Sequence, residues 1–269
     1  MQKDNNENLR LDADKVRDSL IQFIKEQTLK AGFSKAIIGV SGGVDSAVVA
    51  TLTTKALEKE NVLGVILPYR TSNPKNVEDA KLVIQSLGIQ SELVDISTMV
   101  DSYCENYKVT DQIRRGNIMA RMRMIVLYDL SARERALVIG TSNKSEILVG
   151  YGTQYGDLAC AINPLGELYK TQIWQLAEAL GISHSIIKKA PSADLWEGQT
   201  DEGEIGIPYS TLDALLIRMI DEHRTEDELV QYGFDRTIIK KVQAMNQKNE
   251  FKRRLPIIAS IMGKSNSGV

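Results

Sequence analysis

The residues that point most directly to chemistry lie at positions 41–46, where the sequence reads Ser-Gly-Gly-Val-Asp-Ser. Adjacent glycines let successive backbone amides turn toward one centre, and the hydroxyls of Ser41 and Ser46 add donors. A helix that begins directly after the glycines adds unpaired N–H groups and a dipole that favours anions. The segment therefore predicts a cradle for a pyrophosphate group. It lacks the lysine of a Walker loop, so transfer of a γ-phosphate is not indicated.

Asp45 lies inside this predicted cradle. A carboxylate beside bound phosphates repels them unless a cation lies between the two. We therefore interpret Asp45 as a ligand of Mg²⁺. The alternative interpretation is a tight glycine turn in which Asp45 or Ser46 caps the following helix.

A second polar stretch runs from Gly140 to Asp157 and begins Gly-Thr-Ser-Asn-Lys-Ser-Glu. Both polar stretches follow predicted apolar strands, and an open parallel sheet binds its ligands outside the carboxyl ends of its strands. We expect Glu146 and Asp45 to face one crevice and to share a cation. The alternative, in which Glu146 is an ordinary residue of a first helical turn, stays open at this point.

The elements that must position these residues alternate between apolar strands and amphipathic helices. The predicted strands are Ala36–Val40, Val62–Leu67, Glu92–Ile96 and Ala136–Gly140, and the predicted helices between and around them are Leu9–Leu29, Ser46–Lys59, Pro74–Leu87 and Asn117–Arg133. This alternation predicts an α/β fold with a doubly wound parallel sheet and helices on both faces. Only helices are predicted further on, at Thr171–Leu180, Ser210–His223, Thr225–Tyr232 and Asp235–Asn249.

The segment 190–208 fits neither the helical nor the strand period. It contains Pro191, Pro208, three glycines and five acidic residues, and it is longer than an ordinary connection. We interpret it as a lid over the site. A solvated surface excursion is the alternative.

Composition excludes several classes of protein. Lys and Arg number 33 against 35 Asp and Glu, a net charge of -2, which offers no electrostatic case for a nucleic-acid partner. Met1–Asn8 is polar and the apolar stretches are short, so neither a signal peptide nor a membrane span is expected. Two cysteines, Cys104 and Cys160, predict no disulfide framework, which favours the cytoplasm. Two histidines exclude a multi-histidine metal site.

The Ser-Gly-Gly-x-Asp-Ser loop resembles that of the N-type ATP pyrophosphatases, which adenylate a substrate oxygen and release pyrophosphate. Over nearly the whole chain the sequence also resembles ammonia-dependent NAD synthetases, through Leu67–Arg70, Ala120–Met124, Gly140–Asp157 and Lys252-Arg253. The resemblance implies one domain of adenine-nucleotide alpha-hydrolase-like fold over residues 1–269. It would comprise a Rossmann-like core at about 30–185, a lid-like loop at about 190–208 and C-terminal helices at about 210–255.

The resemblance implies a ligase of NAD biosynthesis. ATP would adenylate the nicotinate carboxylate of nicotinic acid adenine dinucleotide (deamido-NAD) with release of pyrophosphate, and ammonia would then convert the adenylate to NAD and AMP. Mg²⁺ is the implied cofactor and ATP the co-substrate. A homodimer is implied as well, with an interface that shapes the dinucleotide site.

Site residues follow from the same resemblance. The implied ATP contacts are Gly39, Ser41, Gly42, Gly43, Asp45, Ser46, Arg70, Thr141, Lys170 and Ser192. Arg121 and Lys252 would contact the dinucleotide, Asp45 and Glu146 would hold magnesium, and Asp157 and Lys170 would be catalytic, with Asp157 near the ammonia. For Arg121 the alternative is the polar face of an amphipathic helix, and for Lys170 a surface lysine in a first helical turn.

The sequence departs from the commoner family pattern at three positions. Gln154, Ala161 and Phe251 replace a lysine, an aspartate and a histidine that contact the dinucleotide in that pattern, so the details of this pocket stay open. No glutamine-hydrolysing domain is visible, and free ammonia is the expected amide donor.

Two other functions remain as alternatives. One is a tRNA-modifying ligase of the same fold, which a basic appended domain or reactive cysteines would favour. The other is a non-catalytic adenine-nucleotide sensor, against which the presence of both Asp45 and Glu146 argues.

Overall fold

The centre of the fold is a parallel sheet of four strands. A computed structural model describes residues 7–259 of the chain. In it β1 is Lys35–Gly39, β2 is Val62–Ile66, β3 is Gln90–Leu93 and β4 is Ala136–Val138, in the spatial order β3-β2-β1-β4. Because the winding direction reverses between β1 and β4, the predicted doubly wound sheet is confirmed. The terminal parts of the predicted single domain, residues 1–6 and 260–269, lie outside the described residues.

Twelve α-helices accompany the sheet within residues 7–259. They are α1 Ala13–Lys30, α2 Val44–Leu57, α3 Pro74–Leu87, α4 Ser97–Asn106, α5 Gln112–Glu134, α6 Lys144–Val149, α7 Lys170–Ala179, α8 His184–Ile187, α9 Asp201–Ile205, α10 Tyr209–Leu216, α11 Glu226–Gln231 and α12 Arg236–Lys248. A π-helical stretch, Ile217–Asp221, continues α10.

Helices cover both faces of the sheet. Successive residues of a strand point to opposite faces, so Ile38 packs in the layer that contains α1, α2 and α7, whereas Ile37 packs in the layer of α4 and α5. Leu52 of α2 and Ile173 of α7 are fully buried in the first layer. α2 is therefore held rigidly at the end of β1, where its first turn carries Asp45.

The C-terminal helices form a second core against α6 and α7. Tyr209, Leu212 and Leu215 of α10 are fully buried, and Ile239 and Val242 of α12 join them. The predicted set of additional helices after the sheet is confirmed. Their packing brings α10 against the two helices that begin at Lys144 and Lys170.

Between β3 and α5 the structure departs from the sequence prediction in three ways. β3 ends at Leu93, because the side chain of Asp95 accepts a hydrogen bond of 2.7 Å from the Ser97 amide and turns the chain into α4. Helix α4 was not predicted, since its buried apolar stripe consists of only Val100 and Cys104. Helix α5 begins at Gln112, earlier than predicted, with Asp111 as its N-cap.

The segment 190–208 is only partly irregular. Thr200 caps α9 by accepting a hydrogen bond of 3.2 Å from the Gly203 amide. Ile205 and Ile207 beyond it are buried in the C-terminal core. The part without regular structure is residues 190–200, which we call the lid loop.

Among residues 7–259, no helix has both the length and the apolar surface that a membrane crossing requires. A cytoplasmic location and the lack of a nucleic-acid partner stay predictions.

Candidate active site

The loop after β1 has the geometry expected of a phosphate cradle. Gly42 adopts a φ of +79°, and a Cβ atom there would lie 2.2 Å from the backbone oxygen of Asn76, so no other residue fits without a shift. The Ser46 hydroxyl donates to the Gly43 carbonyl at 3.0 Å and accepts from the Ser41 amide at 3.2 Å. These two bonds hold the loop closed over the first turn of α2.

The loop after β4 is tied directly to the first loop. Asn143 is fully buried and caps α6, accepting from the Glu146 amide at 2.9 Å while its own amide donates to the Glu146 carboxylate at 3.2 Å. Its side-chain amide donates to Asp45 at 3.0 Å. Asn143 therefore orients both predicted magnesium ligands, although 98 residues separate it from Asp45.

Lys170 joins these two carboxylates. Its ammonium group forms an ion pair with Asp45 and lies 3.6 Å from a carboxylate oxygen of Glu146, and its side chain is only 2% exposed. Burial by itself lowers the pKa of Lys170, but the two carboxylates reverse this effect and raise the pKa above its ordinary value. Lys170 is thus a permanent buried cation, not a surface lysine.

The buried position of Glu146 increases the affinity of its carboxylate for a proton. Burial raises its pKa to about 8, and the negative charge of Asp45 adds to this effect while Lys170 opposes it. The carboxylate is therefore poised to gain from any further positive charge in the cavity.

The C-terminal helices position Lys170 through Asp213 of α10. One oxygen of this buried carboxylate accepts from the Ser145 hydroxyl at 2.6 Å and the other accepts from the Thr171 amide at 2.8 Å. Ser145 in turn accepts from the Lys170 amide at 3.0 Å. Asp213 therefore fixes the first turns of α6 and α7 relative to each other.

The lid loop and α9 contribute further polar residues to the site. The Ser192 hydroxyl donates to the Gln199 carbonyl at 2.7 Å, and Asp194 accepts from the Asn73 amide at 3.2 Å. Asp201 is 4% exposed and accepts from the Tyr209 hydroxyl at 3.2 Å, while its other carboxylate oxygen has no hydrogen-bond partner among the described residues. The segment thus adds a third buried carboxylate close to Lys170.

A cavity of about 490 Å³ opens at the carboxyl ends of β1, β2 and β4. Most of the predicted site residues line it: Gly39, Ser41, Gly43, Asp45, Ser46, Thr141, Glu146, Asp157, Lys170, Ser192 and Lys252. The structure therefore brings three loops to one crevice. They are the loop after β1, which we call the phosphate loop, the loop after β4, which we call the β4 loop, and the lid loop.

Three predicted site residues do not line this cavity. Gly42 turns its carbonyl away toward α3, as described below. Arg70 is exposed and forms an ion pair with Asp101. Arg121 is exposed on α5 and donates to the Gln154 carbonyl at 3.2 Å, whereas Arg123, two residues on, lines the cavity.

Asp157 and Lys252 both line the cavity, and the charge of Asp157 acts on Lys252. Asp157 accepts from the Thr153 amide at 2.9 Å, and although the residue is exposed to the cavity, the surrounding walls reduce its hydration and raise its pKa. Lys252 donates to the carbonyls of Gly150 and Gly152 at 2.7 and 2.9 Å.

Sequence reasoning missed three residues of the site. Asn143 had a usable signal, because Asn followed three residues later by Glu is a capping-box pattern. Asp201 and Arg123 had none, since their approach to the cavity depends on how α9 and α5 pack.

The donor set suits a hard cation. Magnesium is commonly held by one or two carboxylates, with phosphate and water oxygens at the other positions. Asp45 and Glu146 converge on one ammonium group and so present oxygens to one point. Within residues 7–259, no three His, Cys, Asp or Glu side chains are grouped so that they could hold a metal ion.

Comparisons with known proteins agree with this geometry. A family model described as NAD synthase matches residues 16–256. The NH(3)-dependent NAD(+) synthetase of Fusobacterium nucleatum subsp. nucleatum is 49% identical over 253 residues, which are 94% of this chain and 98% of that protein.

Solved structures show the same architecture. The NMN synthetase of Francisella tularensis superposes with a TM-score of 0.83 at 28% identity, over 94% of this chain and all of the other. The NH3-dependent NAD synthetase of Campylobacter jejuni, in complex with nitrate, superposes with a TM-score of 0.80 at 37% identity, over 93% and 100% of the two chains. The parallel sheet with its phosphate loop is an adenine-nucleotide alpha-hydrolase-like fold. Within that class, the chain belongs to the NAD synthase family.

The paired carboxylates generate a first prediction. Asp45→Asn and Glu146→Gln each replace one carboxylate of the pair by a neutral amide of nearly the same shape. We expect each change to reduce turnover by on the order of 100-fold or more, because a cation that neutralises the leaving group would lose one of its ligands. Steady-state kinetics at saturating magnesium measures the effect, and circular dichroism checks the fold.

Glu178→Gln is the matched control, since Glu178 is an exposed carboxylate on the same helix as Lys170. It should retain wild-type turnover. Turnover near that of the wild type in Asp45→Asn or Glu146→Gln would remove the altered residue from the site.

Proposed function

We propose that the chain is an ATP-dependent ligase that converts nicotinic acid adenine dinucleotide to NAD with ammonia as the nitrogen donor. The observation that carries this proposal is the arrangement of Lys170, Asp45 and Glu146 beside the phosphate loop in one cavity. The 49% identity to an NH(3)-dependent NAD(+) synthetase, over nearly all of both chains, supports the same reaction.

In the proposed first step the nicotinate carboxylate attacks the α-phosphorus of ATP. A new oxygen–phosphorus bond forms, the bond to pyrophosphate breaks, and the products are an acyl adenylate and pyrophosphate. Amides and hydroxyls of residues 41–46 bind the departing pyrophosphate, and Lys170 neutralises charge that develops at the phosphates. Mg²⁺ held by Asp45 and Glu146 would supply further charge stabilisation at the leaving group.

In the second step ammonia attacks the activated carbonyl carbon. AMP leaves, and the nitrogen loses a proton as the amide forms. Asp157 lines the cavity, and its raised pKa makes its carboxylate a stronger proton acceptor than an ordinary aspartate. We therefore assign to it the proton that this nitrogen loses. Thr153 holds its carboxylate in place through the backbone hydrogen bond.

We assign to Lys252 the binding of nicotinic acid adenine dinucleotide. Two of its three N–H donors bind backbone carbonyls among the described residues, which leaves one to bind an anion in the cavity. Thr141 supplies a hydroxyl to ATP from the β4 loop. Ser192 of the lid loop would donate to ATP by exchanging the Gln199 carbonyl for a phosphate oxygen.

We infer that a homodimer completes the dinucleotide site. Arg121 lies outside the cavity of the single chain, on the same helix as the exposed apolar side chains of Ile113, Ile125 and Tyr128. A second copy packed on α5 would bury these side chains and bring Arg121 into a shared site. Sedimentation equilibrium at micromolar concentration should give twice the mass of 29.9 kDa, and a mass of one chain would contradict the dimer.

The experiment that tests the function is a reconstitution with purified protein, ATP, magnesium and nicotinic acid adenine dinucleotide. With ammonium we expect NAD, AMP and pyrophosphate in equal amounts. With glutamine in place of ammonium we expect little or no NAD. Formation of ADP and phosphate, or no product with ammonium, would contradict the proposal.

A parallel arm offers the corresponding mononucleotide acid as substrate, because one structural neighbour is an NMN synthetase. We expect a higher kcat/KM for the dinucleotide. A higher kcat/KM for the mononucleotide would support the proposed adenylation and amidation but would contradict the dinucleotide as the preferred substrate.

The lid loop generates a further prediction. Water would hydrolyse an acyl adenylate, so the cavity must exclude it during the reaction. Leu195 and Trp196 pack on Gly116 of α5, where a Cβ atom would lie 3.1 Å from Leu195, and so hold the loop over the cavity. We propose that bound substrates stabilise this closed position.

Limited chymotrypsin digestion measures this effect at Trp196. Cleavage there should slow several-fold when an ATP analogue and the dinucleotide are both present. Tyr107, which is 66% exposed and distant in sequence from the loop, is the internal reference site. Equal slowing at both sites, or none at Trp196, would argue against a lid.

A further inference from the structure

Lys189 joins three parts of the molecule at the base of the lid loop. Its ammonium group donates to the carbonyl of Gly42 at 2.9 Å and to the side-chain oxygen of Asn76 at 3.0 Å, and it forms an ion pair with Asp79. Two of its three N–H donors are thus hydrogen-bonded, and the Asp79 carboxylate lies at ion-pair distance. Lys189 also lines the cavity, but these contacts tie its ammonium group to the phosphate loop and to α3.

Asp79 is the fixed end of this contact. The residue is 1% exposed on α3, and Lys75 lies 3.1 Å from its other carboxylate oxygen. Two cations thus keep the buried carboxylate ionised. A charge held in this way positions the Lys189 ammonium firmly under the phosphate loop.

The Gly42 carbonyl matters because of the peptide to which it belongs. The carbonyl of Gly42 and the N–H of Gly43 are in one planar trans peptide and point in opposite directions. When Lys189 holds the carbonyl on the α3 side, the Gly43 N–H points the opposite way, where it donates to the hydroxyl of Ser41 at 3.3 Å, and Ser41 lines the cavity. Gly43 lines that cavity, whereas Gly42 does not.

Both residues around this peptide are glycines, so local sterics alone do not fix it. Gly43 has a φ of -92°, and a flip of the peptide would carry it to a positive φ. Glycine reaches that region at no steric cost, although other residues do not. A Gly-Gly pair allows the backbone to approach a phosphate closely, and it leaves hydrogen bonds, rather than sterics, to keep the peptide from turning over.

We propose that Lys189 is a positioning residue that locks the Gly42–Gly43 peptide in the orientation that binds pyrophosphate. The inference rests on the proposed function of the loop. It also connects the lid loop to the phosphate loop, because Lys189 directly precedes residues 190–200.

The test measures binding of ATP and of inorganic pyrophosphate by isothermal titration calorimetry. Lys189→Met should weaken both by about 10-fold to 100-fold, the effect of losing a hydrogen bond from a charged donor. Lys188→Met is the matched control, since the neighbouring Lys188 is exposed and should bind like the wild type. Asp79→Asn, which removes the ion-pair partner of Lys189, should weaken binding in the same direction and serves as second variant if Lys189→Met does not fold.

A double-mutant cycle with Gly43→Ala separates peptide locking from a merely structural role. Alanine fits at this position, where its Cβ would meet only Ser41 at 3.4 Å, and it disfavours the positive φ of the flipped peptide. In the Gly43→Ala background, Lys189→Met should therefore cost less than about threefold in affinity.

Two results would overturn the inference. One is binding by Lys189→Met that equals binding by Lys188→Met. The other is the same loss of affinity with and without Gly43→Ala. If the wild type itself bound neither ATP nor pyrophosphate, the proposed function would fail instead.

Discussion

The buried ammonium of Lys170, shared between Asp45 and Glu146, is the interaction on which the rest of the site depends. Asp45 follows β1 and Glu146 follows β4, so one cation joins the two strand ends where the winding of the sheet reverses. Buried charges of this kind are stable only when each is paired and hydrogen-bonded. Asn143 and Asp213 meet this requirement by orienting the carboxylates and the helix that carries the lysine.

The charge balance of this cluster explains its chemistry. Asp45 and Glu146 contact the single ammonium group of Lys170, and Asp201 acts on it only through its charge. Burial raises the pKa of both Glu146 and Asp201. Additional positive charge is therefore favourable at the place where the phosphate loop offers its amides. The arrangement suits a triphosphate that arrives with a divalent cation better than it suits either one alone.

Local sequence patterns predicted the strands and the glycine loop after β1, whereas the family resemblance supplied Thr141, Lys170 and Ser192, which line the cavity. The Gly42-Gly43 pair and the apolar run before it carry a physical signal that needs no tertiary information. The contacts that orient the site leave no such signal in the local sequence, because Asn143 contacts Asp45 and Asp213 contacts Ser145 across long stretches of chain. Side-chain direction on α5 was also beyond the pattern, because it depends on how the helix packs: Arg123 lines the cavity of the single chain, whereas Arg121 does not.

Adenylation of the carboxylate is the central claim, and isotope transfer measures it most directly. Nicotinic acid adenine dinucleotide with heavy oxygen in its carboxylate is converted in the presence of ATP and ammonium, and the products are analysed by mass spectrometry. Attack on the α-phosphorus predicts one heavy oxygen in AMP and none in pyrophosphate. Heavy oxygen in inorganic phosphate together with ADP, or AMP that carries no label, would contradict it.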